Sequence, residues 1–473
     1  MASDLTGPAP ASGSRDSDDQ YLLLVESTRS EHRARTVVDA DGCWVVMADG
    51  RRLLDMHGQY MCVGVGHGHA RIREALHRAV DGLDFVCELL DHEGKSRAAK
   101  LLVEETMHRS PWWGGCRFVS SGSEAVEMAL LVARTYMNRP VVVVSQASYH
   151  GWTTGAAAST TLPYLRNVFH DVETGEVRAV PTSHGEFHAA PAPLGLSTEE
   201  EIRACAEETE RTIRAAGVHN VAAFMLEIYK GAGGFLVPDL YVQLVREMTQ
   251  RLGILWIDDE VIAGAGRTGQ WWAFQHCGVE PDIVATAKGI SSSAVPAGAV
   301  IVSKDIADYL GKGRWASVST NSGHPLAVAA VAANIELMRD EKVVEHVADL
   351  GKYFGERLAD LAERHPTVGS VSGRGFAWAI ELVKDPSTGE RWIPRDRWYT
   401  PGTDPEMEFR PGQFVADQCE QDGVLLFNFL PNTVTLAPPL ALSRDELDLS
   451  LASLDRALSE LDQYTARITT KER

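Results

Sequence analysis

One stretch, Ile254 to Lys288, constrains the chain more than any other. It reads ILWIDDEVIAGAGRTGQWWAFQHCGVEPDIVATAK. The apolar run Ile254–Ile257 ends in Asp258, Asp259 and Glu260. A turn carrying Gly264, Gly266, Arg267 and Gly269 follows, and a second apolar run, Ile283–Thr286, leads to Lys288. Apolar runs that deliver polar groups at their C-terminal ends are how open α/β sheets build sites. Strand and helix patterns alternate from about 115 to 305. That is the pattern of a doubly wound, mostly parallel sheet.

A strand ending in acid beside one leading to lysine suits a cofactor that needs both groups. Pyridoxal phosphate is such a cofactor. Its aldehyde needs an amine to form a Schiff base, and its ring nitrogen needs an anion to stay protonated so that the ring can draw electrons. The same stretch contains a literal GxGxxG, Gly264 to Gly269, the pattern of a dinucleotide site. A pyrophosphate does not suit it here. Three acids lie directly upstream, and the motif sits mid-chain rather than in an opening βαβ unit. The bland alternatives are a solvated lysine and a polar acidic loop, the ordinary state of such residues.

Further runs extend the pattern. Arg117–Val119 reads as a strand entering Ser120-Ser121-Gly122-Ser123, with a helix from about Glu124 to Met137. Ser121 or Ser123 is a natural N-cap, and the free N–H groups and dipole of such a helix start attract a phosphate. Val141–Ser145 is an apolar strand, followed by Tyr149-His150-Gly151; an aromatic face can hold a cationic ring. Val221–Leu226 is another buried strand, ended by Glu227. Ser197 with Glu200 reads as a capping box ahead of a helix, and 171–200 as a long surface excursion.

The DEV, G-x-G-R-T-G and KG elements together resemble the class III (omega) aminotransferases of the fold-type I pyridoxal phosphate group, from about Arg51 to Leu461. The resemblance implies an α/β fold with a large cofactor domain and a smaller α+β domain. It implies an amino group moved between an amine or amino acid and a carbonyl acceptor through a Lys288 Schiff base, with Asp259 at the ring nitrogen and Tyr149 stacked on the ring. Ser121, Gly122 and Ser123 would cradle the phosphate, with His150, Glu227, Val261 and Ile262 around the ring. Relatives carry Glu-Pro where this chain has Glu227-Ile228, and many carry glutamine at the Ile262 position. Thr320 would reach the cofactor phosphate of a neighbouring subunit, which implies a homodimer with shared sites. Tyr60, Phe85, Trp152 and Tyr164 fall at substrate-pocket positions. Asn428 stands where many relatives carry a carboxylate-binding arginine, and a neutral amide cannot make that bidentate ion pair; Arg410 is another cation that could serve. Other pyridoxal phosphate reactions on this fold, as in aminomutases, epimerases and decarboxylases, need the same cofactor-holding residues.

Charge and composition narrow the partners. A net charge of −20 over 473 residues disfavours nucleic acid and anionic membranes, and no apolar run has the length of a membrane span. Residues 1–20 read as a disordered tail rather than a signal peptide. Residues 21–75 then form an N-terminal segment packing with the small domain, 76–330 the cofactor domain and 331–473 the small domain. Seven dispersed cysteines argue against a disulfide framework or a zinc site and fit a reducing cytoplasm. His67-Gly68-His69 has no completing ligands and reads as a turn.

Overall fold

Seven strands form the main sheet: β1 (Trp113–Val119), β2 (Val141–Ser145), β3 (Phe187–Ala190), β4 (Val221–Leu226), β5 (Leu255–Asp259), β6 (Ile283–Thr286) and β7 (Gly298–Ser303). The computed structural model describes residues 35–162, 165, 169–170, 177–178, 186–394 and 409–472. The spatial order is β1-β7-β6-β5-β4-β2-β3. Only β7 is reversed; it pairs antiparallel with β6 and β1, and the other pairs are parallel. Strands β2, β4, β5 and β6 are buried along their whole length. Helices cover both faces, which is why these strands are unbroken apolar runs rather than alternating ones.

Alternate residues divide between two layers. Val142, Val144, Ala223, Met225, Leu255, Ile257 and Ala285 pack with Ala125, Val126, Ala129 and Ala133 of the helix Gly122–Met137. Val143, Phe224, Leu226, Trp256 and Val284 pack on the opposite side, with Tyr241, Val242 and Val245 of the helix Asp239–Leu252. Ser121 is the cap of the first helix: its side chain accepts from Glu124 N at 3.2 Å. Glu124 in turn accepts from Ser120 N at 2.6 Å.

Two local expectations are corrected. The 171–200 excursion contains β3, which completes the sheet edge beside β2. The capping box sits one residue later than Ser197 and Glu200. Thr198 accepts from Glu201 N, and Glu201 accepts from Thr198 N at 3.0 Å. The helix Ala70–Gly82 buries Ile72 and Ala75 and leaves Val80 exposed.

Early and late segments of the described chain meet in one sheet. Val37–Asp41, Trp44–Met47 and Arg52–Asp55 form a small sheet whose last strand pairs in parallel with Val424–Leu425. The hairpin Val368–Arg374 and Ala377–Leu382 pairs with Thr433–Leu436. The helices Val343–Arg364, Pro411–Gln421 and Arg444–Glu472 complete this end of the protein. Among the described residues no helix is long and apolar enough to cross a membrane, and no cluster of His, Cys, Asp and Glu could hold a metal. His67 does not reach toward a ligand set; its Nε2 lies 3.2 Å from Asp55 Oδ2.

Candidate active site

Strands β2, β4, β5 and β6 run side by side in one direction, so the residues leaving their C-terminal ends converge. Asp258 is level with Leu226 on one side, and Asp259 with Ala285 on the other. Asp259 follows Leu255 and Ile257 and so faces the layer of the helix Gly122–Met137. Asp258 follows Trp256 and faces the other layer.

A cavity of about 180 Å³ lies at this edge. Ser121, Gly122 and Ser123 bound it at the helix start, and Tyr149, His150 and Gly151 bound it after β2. Glu227, Asp259, Val261, Ile262 and Lys288 complete the wall. Gly122 is needed for closeness: a Cβ there would lie 2.9 Å from Val261 Cγ1. The structure therefore brings eleven residues to one cavity, ten of which the sequence singles out as cofactor contacts.

The polar groups are held on both sides. Asp259 Oδ2 lies 2.7 Å from His150 Nδ1, and Oδ1 accepts from Val261 N at 3.1 Å. His150 Nε2 is buried without a partner among the described residues. Glu227 accepts from Tyr149 N at 2.8 Å and from Gly231 N at 3.3 Å. Burial raises the Glu227 pKa, and His150 opposes that rise. Lys288 is half-buried, and loss of solvent lowers its pKa, favouring the free amine.

Lys288 sits in the left-handed region, at φ 45°. Such a conformation costs roughly 1–3 kcal/mol and persists only where the surroundings fix it. Ser293 N donates to Lys288 O at 3.1 Å. Buried Asn334 donates to Gly289 O at 2.9 Å and to Ile290 O at 3.1 Å. Asn334 was not legible as a site-holding residue, because it lies inside an apolar helix, Pro325–Asp340.

Arg267 ties the glycine-rich turn to three distant segments. Its guanidinium donates to Pro438 O, and to Phe376 O, Met61 O and Val63 O at 3.4 Å each. Burial lowers its pKa to about 10, so it stays a cation at neutral pH. The Met61 contact anchors a run of left-handed residues, Gly58, Gln59, Tyr60 and Met61. Each non-glycine residue there costs roughly 1–2 kcal/mol. That turn holds Tyr60 stacked on Phe427, with ring centroids 5.8 Å apart and planes 11° apart. Phe429 and His57 join the group. His57 is near enough to Lys288 for the lysine's charge to add to the burial that depresses its own pKa to about 3.

The remaining described sequence candidates do not line the cavity. Trp152 is exposed, although its N–H donates to Ser123 Oγ at 3.3 Å. Asn428 is half-buried between Phe427 and Phe429 in sequence, and its Nδ2 faces Gly412. Arg410 precedes the helix Pro411–Gln421 and is exposed. Phe85 lies with its ring 5.8 Å from that of His324, and Thr320 is exposed on the same loop as His324. Tyr164 falls outside the described residues. Phe427 and Phe429 escaped the sequence reading because a short VLLFNFL run reads as core.

Pyridoxal phosphate fits these residues. The Gly122 and Ser123 N–H groups open the helix with no acceptor among the described residues, one end of the cavity. A fixed carboxylate, Asp259, and an amine, Lys288, line the same space with Tyr149 and Val261. A parallel sheet with these groups at its C-terminal edge defines a fold-type I pyridoxal phosphate enzyme. The family model for class-III aminotransferases matches residues 26–458, and the chain belongs to that family. It is a pyridoxal-phosphate-dependent aminotransferase.

Its relatives are aminotransferases along nearly their whole length. It is 32% identical to a putrescine–pyruvate aminotransferase of Pseudomonas aeruginosa, over 93% of each chain. It is 38% identical to an S-selective transaminase from Arthrobacter sp. with alanine bound, at a TM-score of 0.89, covering 94% of this chain and 97% of that one. It is 28% identical to a taurine:2-oxoglutarate aminotransferase from Bifidobacterium kashiwanohense in complex with PLP and glutamate, at a TM-score of 0.84, covering 94% and 96%.

Proposed function

We propose that this aminotransferase moves the amino group of an apolar or neutral amine to a small 2-oxo acid such as pyruvate, using Lys288, in a homodimer with shared sites. The aromatic group of His57, Tyr60, Phe427 and Phe429, whose His57 is acted on by the Lys288 charge, carries this reading. An aromatic wall rewards apolar surface, and a carboxylate buried there without a cation is costly. Asn428 supplies no such cation. The putrescine–pyruvate enzyme and the alanine-bound transaminase support pyruvate or alanine as the small partner.

The cofactor, when bound, supplies a carbon that carries the amino group and a ring that spreads the electron pair left at the substrate carbon. Asp259 holds the proton on the ring nitrogen, oriented by His150. Tyr149 and Val261 pack against the ring, with Glu227 and Ile262 at its border. Ser121, Gly122 and Ser123 hold the phosphate at the positive end of their helix. Lys288 would hold the cofactor covalently, and its amine would serve as general base and acid at the substrate carbon. Its lowered pKa favours the neutral amine that this needs.

Matched pairs test the substrate class. An arylalkyl amine should exceed the corresponding 2-amino acid in kcat/KM by at least about tenfold, the worth of one unpaired polar contact. Asn428→Arg should narrow that gap. If Asn428→Arg leaves amino-acid use unchanged while Arg410→Ala destroys it, the carboxylate site lies at Arg410 and the reading fails.

The homodimer is supported by apolar side chains left open along 83–90, above all Leu89 at 80% and Leu90 at 60% exposed. Glu88 links this segment to the Thr320 loop through Ser319 N at 2.8 Å. Thr320 and Phe85 would then complete the site of a second copy. Sedimentation should give a dimer, and Thr320→Ala should weaken cofactor binding. A fully active monomer would remove both residues from the site.

A further inference from the structure

Three consecutive residues below the cavity are each tied to a different buried side chain. Ser148 Oγ accepts from Lys230 Nζ at 2.8 Å. Tyr149 N donates to Glu227 at 2.8 Å. His150 Nδ1 meets Asp259 at 2.7 Å. The third and second of these ties involve residues already placed at the cofactor. The first involves a lysine that no step has used.

Lys230 is fully buried. It lies three residues after Glu227 in a tight hairpin, Tyr229–Lys230 paired with Phe235–Leu236. Its backbone oxygen accepts from Gly233 N and Gly234 N, which fixes the turn. Gly231 packs closely on Ile262, since a Cβ there would lie 1.9 Å from Ile262 Cδ1. Ser148 Oγ is the one hydrogen-bond acceptor of Nζ among the described residues. A buried ammonium with a single neutral acceptor needs an anion nearby. The charged groups that act on it are Glu227 and Asp259, with the Cys205 thiol further behind.

We propose that Lys230 is a positioning residue for the cofactor ring: its ammonium holds Ser148, and with it the Tyr149 turn, and balances Glu227 so that Asp259 is left to the ring nitrogen. This rests on the placement of pyridoxal phosphate between Tyr149 and Asp259. Two carboxylates, Glu227 and Asp259, would then be offset by two cations, Lys230 and the protonated ring. His150 also acts on Glu227, but its Nδ1 is already committed to Asp259. Lys288 and Arg267 are the other cations near the cavity. Lys288 must be free to lose its charge, and Arg267 acts on Lys288 rather than bonding either acid. Burial lowers the Lys230 pKa to about 8, and Glu227 and Asp259 hold it from falling further. Lys230 therefore remains mostly a cation at neutral pH in the presence of both acids.

The test compares Lys230→Gln, Lys230→Met and Ser148→Ala with the parent protein, all purified with pyridoxal phosphate. The first readout is the visible absorption of the bound cofactor titrated against pH. The second is the melting temperature of the cofactor-free protein across the same pH range. Lys230→Gln keeps a donor for Ser148 but removes the charge. It should move the absorption midpoint toward alkaline pH by about half a unit or more, since a more negative surrounding favours the protonated chromophore. Its kcat should fall about tenfold or more, as when one charged group is removed from behind a site. Lys230→Met should show the same displacement together with weaker cofactor binding. Ser148→Ala should weaken cofactor binding but leave the midpoint in place. A coloured Lys230→Gln protein with the parent midpoint and turnover overturns the charge role. If neither Lys230 variant folds, a Ser148→Ala protein with unaltered cofactor affinity overturns the positioning role. A parent protein that takes up no pyridoxal phosphate, with or without Lys288, would instead remove the underlying site.

Discussion

Lys288→Ala is expected to fold, to bind pyridoxal phosphate without a covalent bond, and to lose turnover by more than about 10⁴-fold, the upper end for a positioned general acid–base group. Its absorption should lack the borohydride-sensitive band of the parent. The backbone adds a second, separable expectation. Position 288 stays at φ 45° whatever the side chain, because Ser293 N and Asn334 hold the turn. Lys288→Gly should therefore be more stable than Lys288→Ala by roughly 1 kcal/mol, since glycine meets no steric cost there. Denaturant melts of the two variants measure this difference. Full activity in either variant would end the role of Lys288.

Asp259→Asn should lower kcat by about 10²–10³-fold, the usual cost of removing one electrostatic group from a reacting centre. The protein should fold, because the amide oxygen of the variant side chain can still accept from Val261 N. Asp258→Asn is the control with the opposite outcome. Asp258 is buried on the other face, and neither of its carboxyl oxygens has a hydrogen-bond partner among the described residues. Burial raises its pKa and that of Glu260, the latter to about 8. Between roughly pH 4, where free carboxyls ionise, and that value, the unfolded chain releases protons that the folded pair retains. Stability therefore declines as pH rises through this window. Asp258→Asn should flatten the decline and leave turnover within a few-fold. Crippled turnover in Asp258→Asn, with Asp259→Asn near normal, would mean that the two faces of β5 are exchanged.

The centre of the site is legible because parallel strands carry it. Unbroken apolar runs ending in Glu227 and Asp259, or leading to Tyr149 and Lys288, need only adjacency in one sheet to converge. The period of two along β5 separates Asp259 from Asp258 without a structure. The rim is less legible, because it is built from segments whose approach depends on tertiary packing. Phe427 and Phe429 belong to a run that reads as core, and the left-handed turn presenting Tyr60 has no local signature beyond Gly58. Lys230 lies among apolar residues at a glycine-rich turn, and only the fold shows that its side chain is buried and bonded to Ser148 rather than to water. The edge strand β3 escapes because its run, FHAA, is short and polar at its centre.

The contacts of Arg267 bear on how the protein is made. Its carbonyl partners lie at 61, 63, 376 and 438, and the strand at 52–55 waits for the one at 424–425. The strand at 52–55 thus finds its parallel partner only after residues 424–425 have been made. The parallel sheet can assemble on the nascent chain, but the turn that stacks Tyr60 on Phe427 cannot close until residues 427–438 have emerged. Such long-range closure is slow relative to local folding. The maturing polypeptide therefore passes through a stage with the sheet formed and the rim open, and a translation stall before Pro438 would leave it there.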